Sequence, residues 1–238
     1  VRKGNVHVNS DCAAAIRLSG GARLITETPT TYVGGYRLSG GAYIAPKPIA
    51  GPVLADPLAG LPTPVGCYRC LSGKKMSIGG DTVTTLGPGC YGGGLSIGGA
   101  ARVSFKPGLY CIGGDGLRVG AGGRASGAGV TFFLMQESVV LDGAARFTFT
   151  PPTTGAYAGI LIFQARDNTE EMKVTGGASL EGSTGIIYLP AGTLDVSGGA
   201  GIHTNLVVRR LEVSGGGAID VTGYTGPGWS AVTDALTE

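Results

Sequence analysis

Apolar and polar residues alternate along most of this chain in short bursts, and nearly every burst runs into glycine. The recurring phrase is apolar-x-apolar-x-Gly-Gly/Ala. It is read in Met76-Ser77-Ile78-Gly79-Gly80, Leu95-Ser96-Ile97-Gly98-Gly99-Ala100, Leu117-Arg118-Val119-Gly120-Ala121 and Val139-Val140-Leu141-Asp142-Gly143-Ala144. Later copies are Met172-Lys173-Val174-Thr175-Gly176-Gly177-Ala178, Leu194-Asp195-Val196-Ser197-Gly198-Gly199-Ala200 and Leu211-Glu212-Val213-Ser214-Gly215-Gly216, with looser copies at Leu18 to Ala22 and Leu38 to Ala42. Counted from Met76, the steps between first apolar residues are 19, 22, 22, 33, 22 and 17. A fixed period of this size marks a solenoid. Period-two alternation means strands whose every second side chain faces inward. Paired glycines would cost a helix about 1 kcal/mol each, whereas after a strand they supply the positive φ of a corner and let stacked rungs approach. The pattern therefore predicts an all-β chain, a single parallel β-helix with coils of about 20 residues. A β-sandwich would show shorter strand spacings and no single copied phrase.

Two stretches depart from the period. Pro46 to Pro64 holds six prolines and no alternation, which predicts an extended segment crossing the outside of the coils. The 33-residue step contains Pro151-Pro152-Thr153-Thr154-Gly155 and Arg166-Asp167-Asn168-Thr169-Glu170-Glu171, with Gly159-Ile160-Leu161-Ile162-Phe163 between them. It predicts an enlarged coil with a projecting loop and one strand buried on both faces. The expected organisation is one domain: residues 1–45 as the first coils, 46–73 as the Pro/Cys-rich crossing segment, and 74–238 as regular coils with an insertion near 150–171.

Composition narrows the function classes. Glycine contributes 46 of 238 residues, charged residues only 14% and hydrophobic ones 42%, which excludes both disorder and a collagen repeat. A net charge of +2 without Lys/Arg runs leaves no electrostatic footprint for nucleic acid or an anionic membrane. No apolar run is long enough for a membrane span, so no membrane insertion by this segment is expected. The chain opens at Val1 directly in strand-like sequence, and we expect an upstream signal or anchor to precede it.

No catalytic set emerges. Gly94-Leu95-Ser96-Ile97-Gly98 fits a nucleophile elbow, with His203 following, but Ser77 fills the same slot one repeat earlier and no helix pattern follows. Gly120 to Ala125 reads as a turn, since a dinucleotide loop needs a βαβ unit. His7 and His203 have no metal-ligand spacing. Asp142, Asp195 and Glu212 read as separated along the axis, with no adjacent repeats bringing two carboxylates to one matched position. No enzyme activity, metal or cofactor is expected.

The cysteines carry more information. Cys67-Tyr68-Arg69-Cys70 could be redox-active only in a thioredoxin-like context, and zinc through Cys67, Cys70, Cys90 and Cys111 has only one CxxC half. Disulfides are favoured, which suits an oxidising compartment. Aligning Pro88-Gly89-Cys90-Tyr91 with Pro107-Gly108-Leu109-Tyr110 sets Cys90 and Cys111 two residues out of line, roughly 8 Å apart, beyond the reach of a bridge. Cys67 and Cys70 are therefore expected to reach Cys90 and Cys111, pinning the crossing segment to two coils. Cys12 is left over, as a buried thiol or an intermolecular link.

Several phrases also occur in a familiar order: Val8-Asn9-Ser10, Asp56-Pro57-Leu58-Ala59-Gly60-Leu61-Pro62 with Pro64, and the Pro-Gly-x-Tyr pairs at Pro88 and Pro107. Gly127 to Leu134, Ala156 to Phe163 and Gly185-Ile186-Ile187-Tyr188-Leu189-Pro190 complete the series. Together they resemble the C-terminal region of TadG-like proteins of the bacterial Flp (Tad) pilus-assembly system. The resemblance implies an extracytoplasmic envelope protein, periplasmic or surface-exposed, whose partners are other envelope or pilus proteins and which supplies no enzymatic residues. Two alternatives stay open. One is a β-helix that binds or cleaves polysaccharide, although such proteins are commonly rich in asparagine ladders and this chain has four asparagines (Asn5, Asn9, Asn168, Asn205). The other is a filament or shell protein that self-associates end to end through open edges.

Overall fold

The computed structural model describes residues 6–70, 73–202 and 204–220. The chain is a parallel β-solenoid of about nine turns with about 22 residues per coil. Each regular coil contributes one short strand to each of three faces. Every repeat step counted from Met76 appears as a strand pairing: Met76 lies beside Leu95, Leu95 beside Leu117, and Leu117 beside Val139. The ladder continues through Met172–Val174 to Leu194 and Leu211. The alternation dictates the interior, for Leu95, Val139, Met172, Leu194, Leu211 and Ile16 are fully buried and stack in one column. Aromatic residues fill the middle coils, where Phe105, Phe132, Phe147 and Phe149 meet edge-on or tilted with ring centroids 4.4–5.7 Å apart.

The order of coils in space is not the order in sequence. The stretch expected as the first coils, described from residue 6 to residue 45, does not start the ladder. Ile16–Leu18 pairs in register with Leu211, Glu212 and Val213, and Arg23–Ile25 pairs with Ala218–Asp220. Tyr36–Leu38 and Tyr43–Ala45 then form the outermost rung. The solenoid thus begins at Met76, climbs to residue 220, and is continued by the N-terminal coils. Alternation specifies which residues face inward but carries no label for the neighbouring rung, so sequence order was the wrong guide.

One corner column makes this order legible atom by atom. Gly80, Gly99, Gly143, Gly176, Gly198, Gly215, Gly20 and Gly40 all hold φ between 53° and 65°, with Ala121 (φ 50°) completing the series. A Cβ on Gly20 would stand 3.2 Å from the Gly215 nitrogen, and one on Gly40 2.9 Å from the Gly20 nitrogen. The left-handed turn and the close approach favour glycine at these contacts, although one rung accommodates the methyl group of Ala121.

The third face differs from the other two. Val130–Leu134 and Ile160–Gln164 are buried at every position, on both sides of the sheet. The expected fully buried strand at 160–163 is present, and the outer cover comes from the crossing segment. That segment is not extended throughout: it makes a turn over residues 57–61 and a 3₁₀ helix at Val65–Cys70, which set Leu58, Leu61 and Cys67 against Phe133, Phe163 and Tyr188. The insertion also differs in part from expectation. Residues 153–156 are exposed as a projecting loop. The charged stretch from Arg166 folds back, because the buried Gln164 amide donates to the Asn168 side chain (2.8 Å) and to the Glu170 carbonyl (2.9 Å).

Candidate functional site

The densest set of polar contacts follows the crossing segment, which descends the outside of the third face rung by rung. At the top, Asn9 Nδ2 donates to the Leu54 carbonyl (2.6 Å) and Asn9 Oδ1 accepts from the Leu54 N–H (2.9 Å). His7 supports that contact. Its Nε2 lies 2.7 Å from Asn9 Oδ1, and with a neutral ring this nitrogen donates while Nδ1 accepts from the Thr31 hydroxyl (2.6 Å). Two coils lower, the buried Tyr188 hydroxyl donates to Asp56. Burial, and next the Asp56 carboxylate, push the Tyr188 hydroxyl well above its ordinary range. Asp56 also accepts from the Leu58 N–H at 2.9 Å, starting the turn.

Arg166 holds the middle. Its guanidinium donates to the carbonyls of Leu58 (3.0 Å), Ala59 (3.2 Å) and Leu61 (2.8 Å) and to the Thr63 hydroxyl (2.9 Å). It lies over the Phe163 ring at 5.3 Å and the Tyr188 ring at 5.8 Å. Lower still, Tyr68 meets Phe133 edge-on at 5.9 Å, and Cys67 is bridged to Cys111 across 44 residues of sequence. Sequence reading marked Arg166 only as part of a charged stretch, since its function depends on carbonyls more than a hundred residues away.

The cysteine geometry needs one correction. Cys90 and Cys111 are in register, not two residues apart, because the rung here is 21 residues long and Gly89 lies beside Tyr110. Both side chains point away from the core, toward the crossing segment. Cys90 is itself disulfide-bonded, and the side chain of Cys70 lies outside those described. Cys12 is free and partly exposed, not buried. Ser10 and then Arg210, whose Nη2 is 3.6 Å from the sulfur, lower its thiol pKa.

The other expected positions serve as ladder residues. Ser96 lies between Ser77 and Arg118 in register on the first face, and His203 lies outside the described residues. Gly120 to Ala125 turns a corner and enters a strand of the second face. Asp142 is ion-paired with Arg118. The carboxylates correct the expectation, because Asp195 and Glu212 are matched on adjacent rungs: each is the middle residue of its phrase. Partial burial, then Glu171 and Glu212, raise the Asp195 carboxyl above its ordinary value. Lys173 flanks the pair on one side, and Arg17 lies 3.9 Å from Glu212 on the other. Among the described residues no group of three His, Cys, Asp or Glu is arranged to hold a metal ion.

These features define a parallel β-solenoid protein whose third face is covered by a disulfide-fastened strap. No protein-family model, curated protein or solved structure matches the chain. The disulfide, together with the finding that no described helix is long and apolar enough to cross a membrane, is compatible with a place outside the cytoplasm.

Proposed function

We propose that this chain is a non-catalytic, extracytoplasmic structural module that acts in Flp/Tad-type pilus assembly or surface adhesion. The observation that carries this reading is the use of its polar residues. His7, Asn9, Asp56, Arg166 and Tyr188 are spent on holding the strap, and Asp142 is spent on Arg118. A rod of stacked coils, clamped along one side by a strap and a disulfide, suits a mechanical or display role outside the cell. Its partners would be other envelope or pilus proteins. Two measurements test the proposal. Removing the gene should abolish surface piliation or attachment, with rescue by the intact gene. Reducing-sugar release or unsaturated-product absorbance from the purified chain on a glycan panel should stay at background, and clear turnover would overturn the reading.

A second reading, end-to-end association of copies, is favoured by the terminal coils. Met76 and Val83 are exposed at one end, and Leu38, Tyr43 and Ile49 at the other. Among the described residues both ends present parallel edges without a further strand, and such edges template pairing. A second copy stacked in the same sense would cover the Met76 rung with its Tyr36 rung. Light scattering against concentration tests this, and a constant monomer mass at all concentrations would exclude it.

A further inference from the structure

The second face carries a feature that neither the strap nor the core uses. Arg102, Arg124 and Arg146 are in register on three successive rungs, and all three are exposed. Inward-facing Val103, Ala125 and Phe147 follow them, so the arginines share the outer side of the sheet. Two residues further along each strand, on that same outer side, stand Ser104, Ser126 and Thr148. The result is a column of guanidinium groups beside a column of hydroxyls. Rungs are spaced about 4.8 Å apart and the columns about 6.6 Å apart.

Four bases of the first face and its corners have acidic neighbours. Arg118 pairs with Asp142, Arg17 lies 3.9 Å from Glu212, Lys173 is 3.0 Å from Glu171, and Lys75 is 3.1 Å from Asp115. Among the described residues, the guanidinium groups of Arg102, Arg124 and Arg146 have neither an ion-pair nor a hydrogen-bond partner, their only hydrogen bonds being those of the backbone. Like charges directly opposite one another on a sheet are destabilising. The free fold therefore bears a repulsion that a ligand with regularly spaced anionic groups would relieve.

We infer that this column is a binding surface for an acidic polysaccharide, carboxylated or sulfated, lying across the rungs along the solenoid axis. The guanidinium fork suits a carboxylate or sulfate, and the adjacent Ser/Thr hydroxyls are suited to sugar hydroxyls. The outward positions of these strands carry no aromatic ring, so the face lacks the stacking platform on which single-stranded nucleic acids are bound. The inference deepens the adhesion reading and rests on it, by naming the chemical class that the surface would hold.

The test is binding of the full chain to immobilised polygalacturonate, a heparin-type sulfated glycan, neutral dextran and single-stranded DNA, at low and moderate salt. The wild type should bind the two acidic glycans and not dextran, with affinity falling as salt rises. The triple variant Arg102→Gln/Arg124→Gln/Arg146→Gln should lose at least tenfold, while Arg118→Gln changes binding less than twofold. Because the triple variant removes a repulsion, its thermal midpoint should equal or exceed that of the wild type, which separates lost binding from lost folding. Equal binding by the triple variant, binding to dextran, or tighter binding to DNA than to polygalacturonate would overturn the inference. Polymer length distinguishes the two levels of the argument. Binding with unchanged length supports both, and binding with shortening supports the surface but overturns the non-catalytic reading. No binding overturns the surface and leaves the scaffold reading to its own test.

Discussion

Replacing Arg166 with alanine should loosen the strap from the third face while leaving the coils in place. The wild-type guanidinium makes four hydrogen bonds to the strap and lies over two aromatic rings. Hydrogen bonds to charged groups contribute about 1.5–3 kcal/mol each when buried, and a cation–π contact about 0.5–1 kcal/mol at an exposed site. The direct sum is too large, because the site is only partly buried and water reaches the carbonyls freed by the substitution. We therefore expect a loss of about 2–4 kcal/mol for Arg166→Ala. Arg166→Lys should lose about half as much, since one ammonium cannot reproduce a planar fork spanning Leu58 to Thr63. The disulfide at Cys67 still fastens the lower end, so the loss should be local. Amide hydrogen exchange should accelerate roughly 30- to 1,000-fold at the strap amides of Ala59 and Leu61, whose N–H groups bond within the strap, and less at the disulfide-held Cys67. Exchange in Val130–Leu134 should change far less. Unaltered strap exchange, together with a urea-unfolding free energy within about 0.5 kcal/mol of wild type, would refute this account of Arg166.

Three further outcomes follow from the ladder. Gly80 and Gly99 share φ near 65°, but a Cβ on Gly99 would stand 2.9 Å from the Gly80 nitrogen, whereas one on Gly80 at the terminal rung meets nothing within 4 Å. Gly80→Ala should therefore cost about 1–2 kcal/mol from backbone strain alone, and Gly99→Ala about 1–3 kcal/mol more, measured by chemical denaturation. In a Cys12→Ser background, the pair Arg17→Cys/Glu212→Cys should oxidise readily, because these residues are register partners. Arg37→Cys/Ser77→Cys should not oxidise within a monomer, since its positions lie at opposite ends, and a mass-mapped disulfide joining those two introduced thiols in monomer would refute the rung order. Asp195 is more easily protonated in the folded chain than in the unfolded one. Folding stability should then fall as pH rises from the ordinary aspartate pKa through the raised value. Asp195→Asn should be at least as stable as wild type at pH 7, with the difference vanishing near pH 3 in paired thermal melts.

Much of the architecture could be read from residue order alone. The copied phrase determined the strands, their inward residues, the glycine corners and each rung step from Met76 to Leu211, because parallel in-register stacking needs only local alternation and a corner that admits close approach. The apolar run at 160–163 correctly announced a strand covered on both sides. Three things were decided only by the tertiary structure. The N-terminal coils dock on the rung formed by residues 205–220, a choice that rests on edge complementarity between segments as distant in sequence as Ile16 and Leu211. Arg166 finds its carbonyls only when the strap passes over Phe163 and Tyr188. Register also set Cys90 beside Cys111 and gathered the arginines of the second face into one column, while the match of Asp195 with Glu212 already follows from their shared place in the copied phrase. In a solenoid the side chains that share a surface come from different coils. Sequence sets which way each one points, and the stacking of coils sets its neighbours.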